Sequence, residues 1–315
     1  MRAIGGELEL TSINDNIYFT DSGRSSLRLF LRSKDNNKKK YLLPNFFCEV
    51  IENIFIEENI SYSFYSVNED LIIDIDTINI NDYDVLYVIN YFGKYVDLSK
   101  INLKDKILIE DNVFLYNFEN HWNAEKWYAF NSFRKIGTFS DGSLVKTNMN
   151  VNSSLILSQE AEFVLFKYQA KEIKHSYIHK NNFCESDYLN KFLLGESMLD
   201  KQSRIYSISK KSMYLLTMQE SSQILRAKRF NTLLDFFKEY AIINTSNYYS
   251  FFIMKLKNRD DFRKKLMQEN IFLSIHWPVS TQENTLYKSI ISIPLFETYD
   301  DKTFNRLIKI IKETL

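Results

Sequence analysis

The sequence predicts an α/β fold, a mostly parallel sheet covered by helices, with a smaller C-terminal α+β unit. Three observations carry this. Helix-like and strand-like segments alternate from about residue 25 to 135, the strands among them are continuous apolar runs, and the order strand, helix, strand, strand, helix closes the chain. Continuous apolar strands separated by helical crossovers fit a parallel sheet buried on both faces. Ligands collect at the carboxyl ends of such strands, so the residues just after each apolar run are the ones to examine.

Taken in order, "SSLRLFLRS" places Leu27, Leu29, Phe30 and Leu31 mostly on one helical face, and "KKYLLPNF" reads as a short strand stopped at Pro44. Then follow "EVIENIFIEE" as a helix and "SYSFYSV", "DVLYVINYF", "KILIEDN" and "KWYAF" as strands. Beyond Val151, "EAEFVLFKYQAKEIKHSYIHKNNF" is polar and helical with loops, and "SMYLLTMQESSQILRAKRFNTLLDFFKEY" gives one or two amphipathic helices. The closing unit runs through "NYYSFFIMKLK", "RDDFRKKLMQENI", "FLSIHWP", "SIISIPLF" and "KTFNRLIKIIKETL". The domain boundary is placed in the Met213 to Tyr240 stretch, which divides the chain into 1–225 and 226–315.

Lys+Arg and Asp+Glu both number 40, so the net charge is zero and the footprint of a general nucleic-acid binder is missing. The 2 cysteines, Cys48 and Cys184, make no disulfide framework, and with 4 scattered histidines they offer no zinc spacing. "MRAIGGELEL" has no apolar signal region, and no membrane-length apolar run occurs, so a cytoplasmic protein is expected.

Four stretches could carry chemistry. "DSGRSS", Asp21 to Ser26, is a glycine turn entering a helix, either a phosphate site or an ordinary N-cap at Ser22 or Ser25. In "ILIEDN", Asp111 leaves a buried strand, where it either starts a loop or presents a carboxylate able to keep a pyridinium nitrogen protonated. In "NSFRKIGTFSDGS", Lys135 is either a solvated charge or an amine whose pKa is lowered by burial and by Arg134 for Schiff-base chemistry. "SIHWPVS" sends His276, Trp277 and Pro278 out of a strand together, as a packed corner or as part of a site. Singly these are weak, but their order is informative: a turn near residue 23, a strand-end Asp111 and a strand-end Lys135.

With those residues in place the chain resembles the pyridoxal-phosphate-dependent sugar aminotransferases of the DegT/DnrJ/EryC1/StrS family, of the aspartate-aminotransferase-like PLP fold type I. "DSGRSSLRLFL" is similar to that family's "SGTSALxxAL", "YLLPNFFCEVI" to "VIVPAYTFVAT", and "ILIEDN" to "VIEDAAQ". "NSFRKIGTFSDGSLVKTN" is similar to "SFxxxKxLGxxGDGGxxxTN", shortened before the lysine, and the segment ending "SIHWPVS" to a motif ending "HYPxP".

The resemblance implies pyridoxal 5'-phosphate as cofactor and a homodimer with shared active sites. Lys135 would be the Schiff-base lysine and proton carrier, and Asp111 the partner of the pyridinium nitrogen. Gly23, Arg24, Ser25 and Ser132 would bind the cofactor phosphate, and the ring-stacking aromatic aligns near Phe47 or Cys48. Ser207 stands where the family has an Asn that reaches the neighbouring subunit's phosphate, and Phe114 where it has a Gln or His beside the ring hydroxyl. The implied reaction moves an amino group from glutamate to a nucleotide-linked keto-sugar for surface glycan synthesis, with neither nucleic acid nor membrane as a partner. Two alternatives stay open. One is other chemistry on the same cofactor, such as decarboxylation or amination of a small phosphorylated ketone. The other is a non-catalytic binding or regulatory protein.

Overall fold

A computed structural model describes residues 16–74, 78–119, 122, 124–180, 182–218, 222–277 and 284–315. Residues 1–15, on which the reading of the N-terminal stretch rests, and Pro278 lie outside them. The first unit runs β1 (Asn16–Thr20), α1 (Gly23–Leu31), β2 (Tyr41–Pro44), α2 (Glu49–Glu57), β3 (Tyr62–Tyr65), β4 (Val85–Ile89), β5 (Ile107–Asn112), β6 (Lys126–Asn131), α3 (Phe133–Ile136) and β7 (Ser143–Thr147). It continues through β8 (Ile156–Leu157), α4 (Glu162–Lys180), α5 (Glu185–Lys201), β9 (Ile205–Tyr206), α6 (Lys210–Met218) and α7 (Gln223–Phe237). The last elements are β10 (Phe251–Lys255), α8 (Arg259–Gln268), β11 (Ile290–Pro294) and α9 (Asp301–Thr314).

The main sheet has seven strands in the order β1-β7-β6-β5-β4-β2-β3. Only β7 opposes the others, pairing antiparallel with both β1 and β6. The carboxyl ends of β1, β6 and β5 therefore share one edge. Strands β4 and β5 are buried at every position, as an apolar strand covered on both faces should be. Helix α1 is fixed to the sheet by the Tyr128 hydroxyl, which donates to the Ser26 carbonyl at 2.7 Å, and by Phe30 against the Tyr128 ring.

The expected mostly parallel, helix-covered sheet is present, with local differences. The run "DVLYVINYF" is not one strand: β4 stops at Ile89, and Tyr91–Gly93 form a tight turn with Phe92 left-handed at φ 52°. Gly93 continues that turn at φ +89°, and a Cβ there would stand 1.9 Å from the Tyr248 carbonyl, so only glycine permits this approach of the C-terminal unit. The described part of "FLSIHWP", Phe272 to Trp277, is likewise not a strand; Ser274 alone among these residues makes a bridge, to Ser292 of β11. The 225/226 boundary falls inside α7. Among the described residues, no helix is long and apolar enough to cross a membrane.

Candidate active site

The edge shared by β1, β6 and β5 collects Gly23, Arg24, Ser25, Asp111, Ser132 and Lys135. At the entry to α1, Ser22 is the N-cap, its Oγ accepting the Ser25 N–H at 3.2 Å. The cap does not exhaust the turn, because the N–H groups of Gly23 and Arg24 have no acceptor within the helix. Beneath them runs a chain of hydroxyls: Thr20 Oγ to Ser26 Oγ at 2.8 Å, Ser26 Oγ to Ser143 Oγ at 2.7 Å, and Ser143 Oγ donating to the Asn131 carbonyl at 2.5 Å. A Cβ on Gly23 would lie 3.2 Å from that same carbonyl, so α1 starts as close to β6 as a backbone can. Asn131 in turn donates to the carbonyls of Leu115 and Tyr116 at 2.9 and 3.0 Å, tying the end of β6 to the loop that follows β5.

Asp111 is buried at the end of β5. Its carboxylate accepts the Tyr87 hydroxyl at 2.7 Å and the Val113 N–H at 3.0 Å. Burial pushes its pKa up to about 6, against the pull of those two donors and of Lys135. Lys135 sits in the single turn of α3, with Ser132 buried as the preceding cap position. Its amine is held below the usual lysine range, first by burial and then by the Arg134 guanidinium. Arg24 adds to that effect, while Cys48 and Glu196 oppose it.

His276 stands over this group from the C-terminal unit. Its Nδ1 is 2.8 Å from Ser292 Oγ, and burial, then Lys135, push its pKa down to about 3, so the ring is neutral. Arg226 of α7, fully buried, donates to Glu297 at 2.7 Å and to the Ile136 carbonyl, next to Lys135, at 3.0 Å.

Three sequence-predicted residues have settings the alignment did not convey. Phe47 stacks on Phe64 at 5.7 Å, and its neighbour Cys48 is the side chain in electrostatic reach of Lys135 and Tyr87. Ser207 lies beside its own chain's turn, bridged to Thr20, with its N–H donating to Leu157 at 2.8 Å. Phe114 is fully buried in a ring cluster with Phe92 at 4.7 Å, His276 at 5.3 Å, Phe251 at 5.7 Å and Trp277 at 6.3 Å. A hydrogen-bonding residue at 114 would face rings on all these sides. Phe114→Gln is therefore expected to destabilise the fold by about 3 kcal/mol, read as a lower denaturation midpoint in urea.

Two contributors were missed. Tyr87 is concealed inside an apolar strand, although its parity with Ile109 across the β4–β5 register puts it on the face that Asp111 shares two residues on. The second is α5, whose Glu196 and Asp200 bind Arg134 at 2.9 Å and Arg24 at 2.6 Å. Among the described residues, no group of three or more His, Cys, Asp or Glu side chains could hold a metal ion.

No family model and no curated protein matches the chain. Solved structures do. NtdA from Bacillus subtilis, with bound cofactor PMP, aligns at a TM-score of 0.62 and 14% identity over 95% of this chain and 73% of its own. A DegT DnrJ EryC1 StrS aminotransferase from Brucella abortus gives 0.59 and 13%, covering 94% and 85%. Helicobacter pylori PseC, an aminotransferase involved in the biosynthesis of pseudoaminic acid, gives 0.58 and 14%, covering 95% and 86%. At these identities the likeness is one of fold, and it spans nearly the whole chain: the protein has the fold of the DegT/DnrJ/EryC1/StrS-type aminotransferases, PLP fold type I.

Proposed function

We propose that this protein is a pyridoxal 5'-phosphate-dependent aminotransferase that takes an amino group from glutamate and delivers it to a nucleotide-linked keto-sugar. The observation that carries it is the convergence of a buried carboxylate, an amine of depressed pKa and a helix start whose Ser22 cap takes only the Ser25 N–H on one sheet edge. These residues fit the cofactor: the first-turn N–H groups of Gly23 and Arg24 have no acceptor within the helix, as a phosphate site requires, and Asp111 is oriented by two donors. When bound, pyridoxal phosphate supplies an electron sink for charge developing on the amino-bearing carbon.

The remaining chemistry belongs to the chain. Lys135, its amine pressed towards the neutral form by burial and then by Arg134, would bind the cofactor's carbonyl carbon and carry the proton taken from the substrate. Asp111 would keep a proton on the cofactor's ring nitrogen, with Tyr87 fixing the carboxylate's direction. The first-turn N–H groups of α1 with Ser25 and Ser132 would hold the phosphate, and the neutral His276 and the Phe114 cluster would help exclude water from the site. Arg24 is engaged with Asp200 and would turn to the phosphate from there. A homodimer, a cytoplasmic location and a role in surface glycan synthesis complete the reading, by analogy with the aminotransferases that share the fold.

The test is direct. The full chain mixed with pyridoxal phosphate should turn yellow, and glutamate alone should bleach it by producing pyridoxamine phosphate. A colourless protein would overturn the cofactor assignment. Colour that no amino acid bleaches would overturn transamination, and turnover of a small phosphorylated ketone in preference to any nucleotide-linked keto-sugar would overturn the substrate.

A further inference from the structure

A cavity of about 660 Å³ opens between α4, α6 and the turn at 140–142, and none of the residues gathered at the sheet edge beside Lys135 lines it. It lies on a seam in the packing. Ala161 and Val164 of α4 form a small apolar cluster with Leu199 and Met198 of α5, whereas Leu215 of α6 packs against the main core. Ala161, Val164, Met198 and Leu215 all line the gap left between the two. Close-packed interiors leave few voids larger than a water molecule, so a gap of this size with apolar walls has the form of a ligand site.

The floor of the cavity is tied down on every side. The Asp141 carboxylate accepts the Ser209 N–H and the Ser209 hydroxyl, both at 2.7 Å, and the Ser212 hydroxyl as well. Gly142 donates to the Asp21 carbonyl at 2.6 Å and accepts the Phe133 N–H at 3.0 Å. Held in this turn, Ser140 is only 4% exposed, and its Oγ has no hydrogen-bond partner among the described residues. A buried hydroxyl without a partner is destabilising, and the cavity that Ser140 borders is where one can be supplied. Ser209 and Ser212 also line the cavity, but both hydroxyls donate to Asp141, so Ser140 alone of the three keeps a free hydroxyl proton.

The charges lie at the mouth. Glu160, Glu162 and Lys211 are the charged residues that line the cavity; all three are exposed, and the Lys211 ammonium already sits 3.1 Å from the centre of the Tyr168 ring. Asp141, behind the floor, is satisfied by its three donors. A charged molecule seated inside would therefore be desolvated without a counter-ion, at a cost that a neutral one does not meet. We propose that this cavity binds an uncharged, mostly apolar small molecule carrying one hydroxyl or carbonyl group, which pairs with Ser140. Such a ligand is unlike pyridoxal phosphate or a nucleotide-linked sugar, both of them anions, so the cavity is a second site and stands whether or not the protein is a transaminase.

Equilibrium dialysis of the full chain against 2-naphthol, naphthalene and 2-naphthoate tests this, because the three probes share one ring system and carry a hydroxyl, no polar group and a carboxylate. One 2-naphthol should bind per chain, about tenfold or more tighter than 2-naphthoate. Ser140→Ala should weaken 2-naphthol about fivefold, leave naphthalene unchanged, and keep the melting temperature of the free protein equal or higher, since only an unpaired hydroxyl is lost. Leu215→Trp, which fills the gap, should remove saturable binding of both neutral probes. Prior addition of pyridoxal phosphate should change none of these affinities. The proposal is overturned if no probe binds saturably, if 2-naphthoate binds as tightly as 2-naphthol, or if Ser140→Ala leaves the 2-naphthol affinity intact or melts lower. Displacement of 2-naphthol by pyridoxal phosphate overturns it by placing the probe in the cleft at Lys135, and an affinity that falls as the chain self-associates overturns it by giving the gap to a second copy.

Discussion

Lys135→Ala should lower turnover by about 10⁴-fold or more, because one amine is asked both to bind the cofactor and to move the proton. Borohydride reduction followed by mass spectrometry locates the effect. In the wild type the reduced cofactor should stay attached to the peptide carrying Lys135, and in Lys135→Ala no peptide should carry it. Attachment elsewhere in the variant would remove Lys135 from its role. The expectation has a physical basis beyond alignment. A solvated lysine is almost wholly protonated at neutral pH and cannot act as a nucleophile, whereas burial and then Arg134 press this amine towards its neutral form. Arg134→Gln should accordingly move the ascending, acid limb of the activity profile to higher pH, with the fold intact.

Asp111→Asn should stabilise the cofactor-free protein while impairing the loaded one. The folded-state pKa of Asp111, about 6, lies above the ordinary value of 3.8, chiefly because the carboxylate is buried. A raised pKa means that folding favours the protonated form. The contribution to stability is complete below about pH 4, declines as pH rises through about 6, and at pH 7.5 has become a cost of roughly 3 kcal/mol from this group. Asn carries no such cost. Thermal unfolding of the cofactor-free protein should therefore show the variant melting higher by several degrees at pH 7.5 and equal to wild type near pH 4. With pyridoxal phosphate bound, the wild type should recover the difference and the variant should not, and turnover should fall by about 10²-fold or more. Identical melting curves at both pH values would mean that Asp111 is solvated or already paired.

Much of this was legible because the physics that makes the fold also makes the pattern. Strands buried on both faces must be apolar throughout, so β4, β5 and β6 announce themselves, and a charged residue at the end of such a run, as at Asp111 and just beyond Asn131, stands out. The illegible parts depend on contacts made at long range. Helix α5 exposes Leu189, Phe192, Leu193 and Leu194 among its polar residues and carries a glycine in its body, and that glycine makes sense only once Lys167 is seen to pass it. Phe114 was aligned with a hydrogen-bonding residue, yet besides Phe92 its ring neighbours come from β10 and from the corner at His276, more than a hundred residues further on. Strand β4 ends early because Phe92 takes a left-handed backbone, a conformation the apolar run itself does not signal.

Buried Arg226 has a consequence for how the two units move. One guanidinium holds the backbone beside Lys135 on one side and Glu297, beyond β11, on the other. The C-terminal unit is thereby bolted to the backbone beside Lys135, and a rigid swing of one against the other would strand a charge in a dry interior. If Lys135 acts as proposed, selectivity would be set by the shape of standing walls, in the manner of a fixed die rather than a closing jaw.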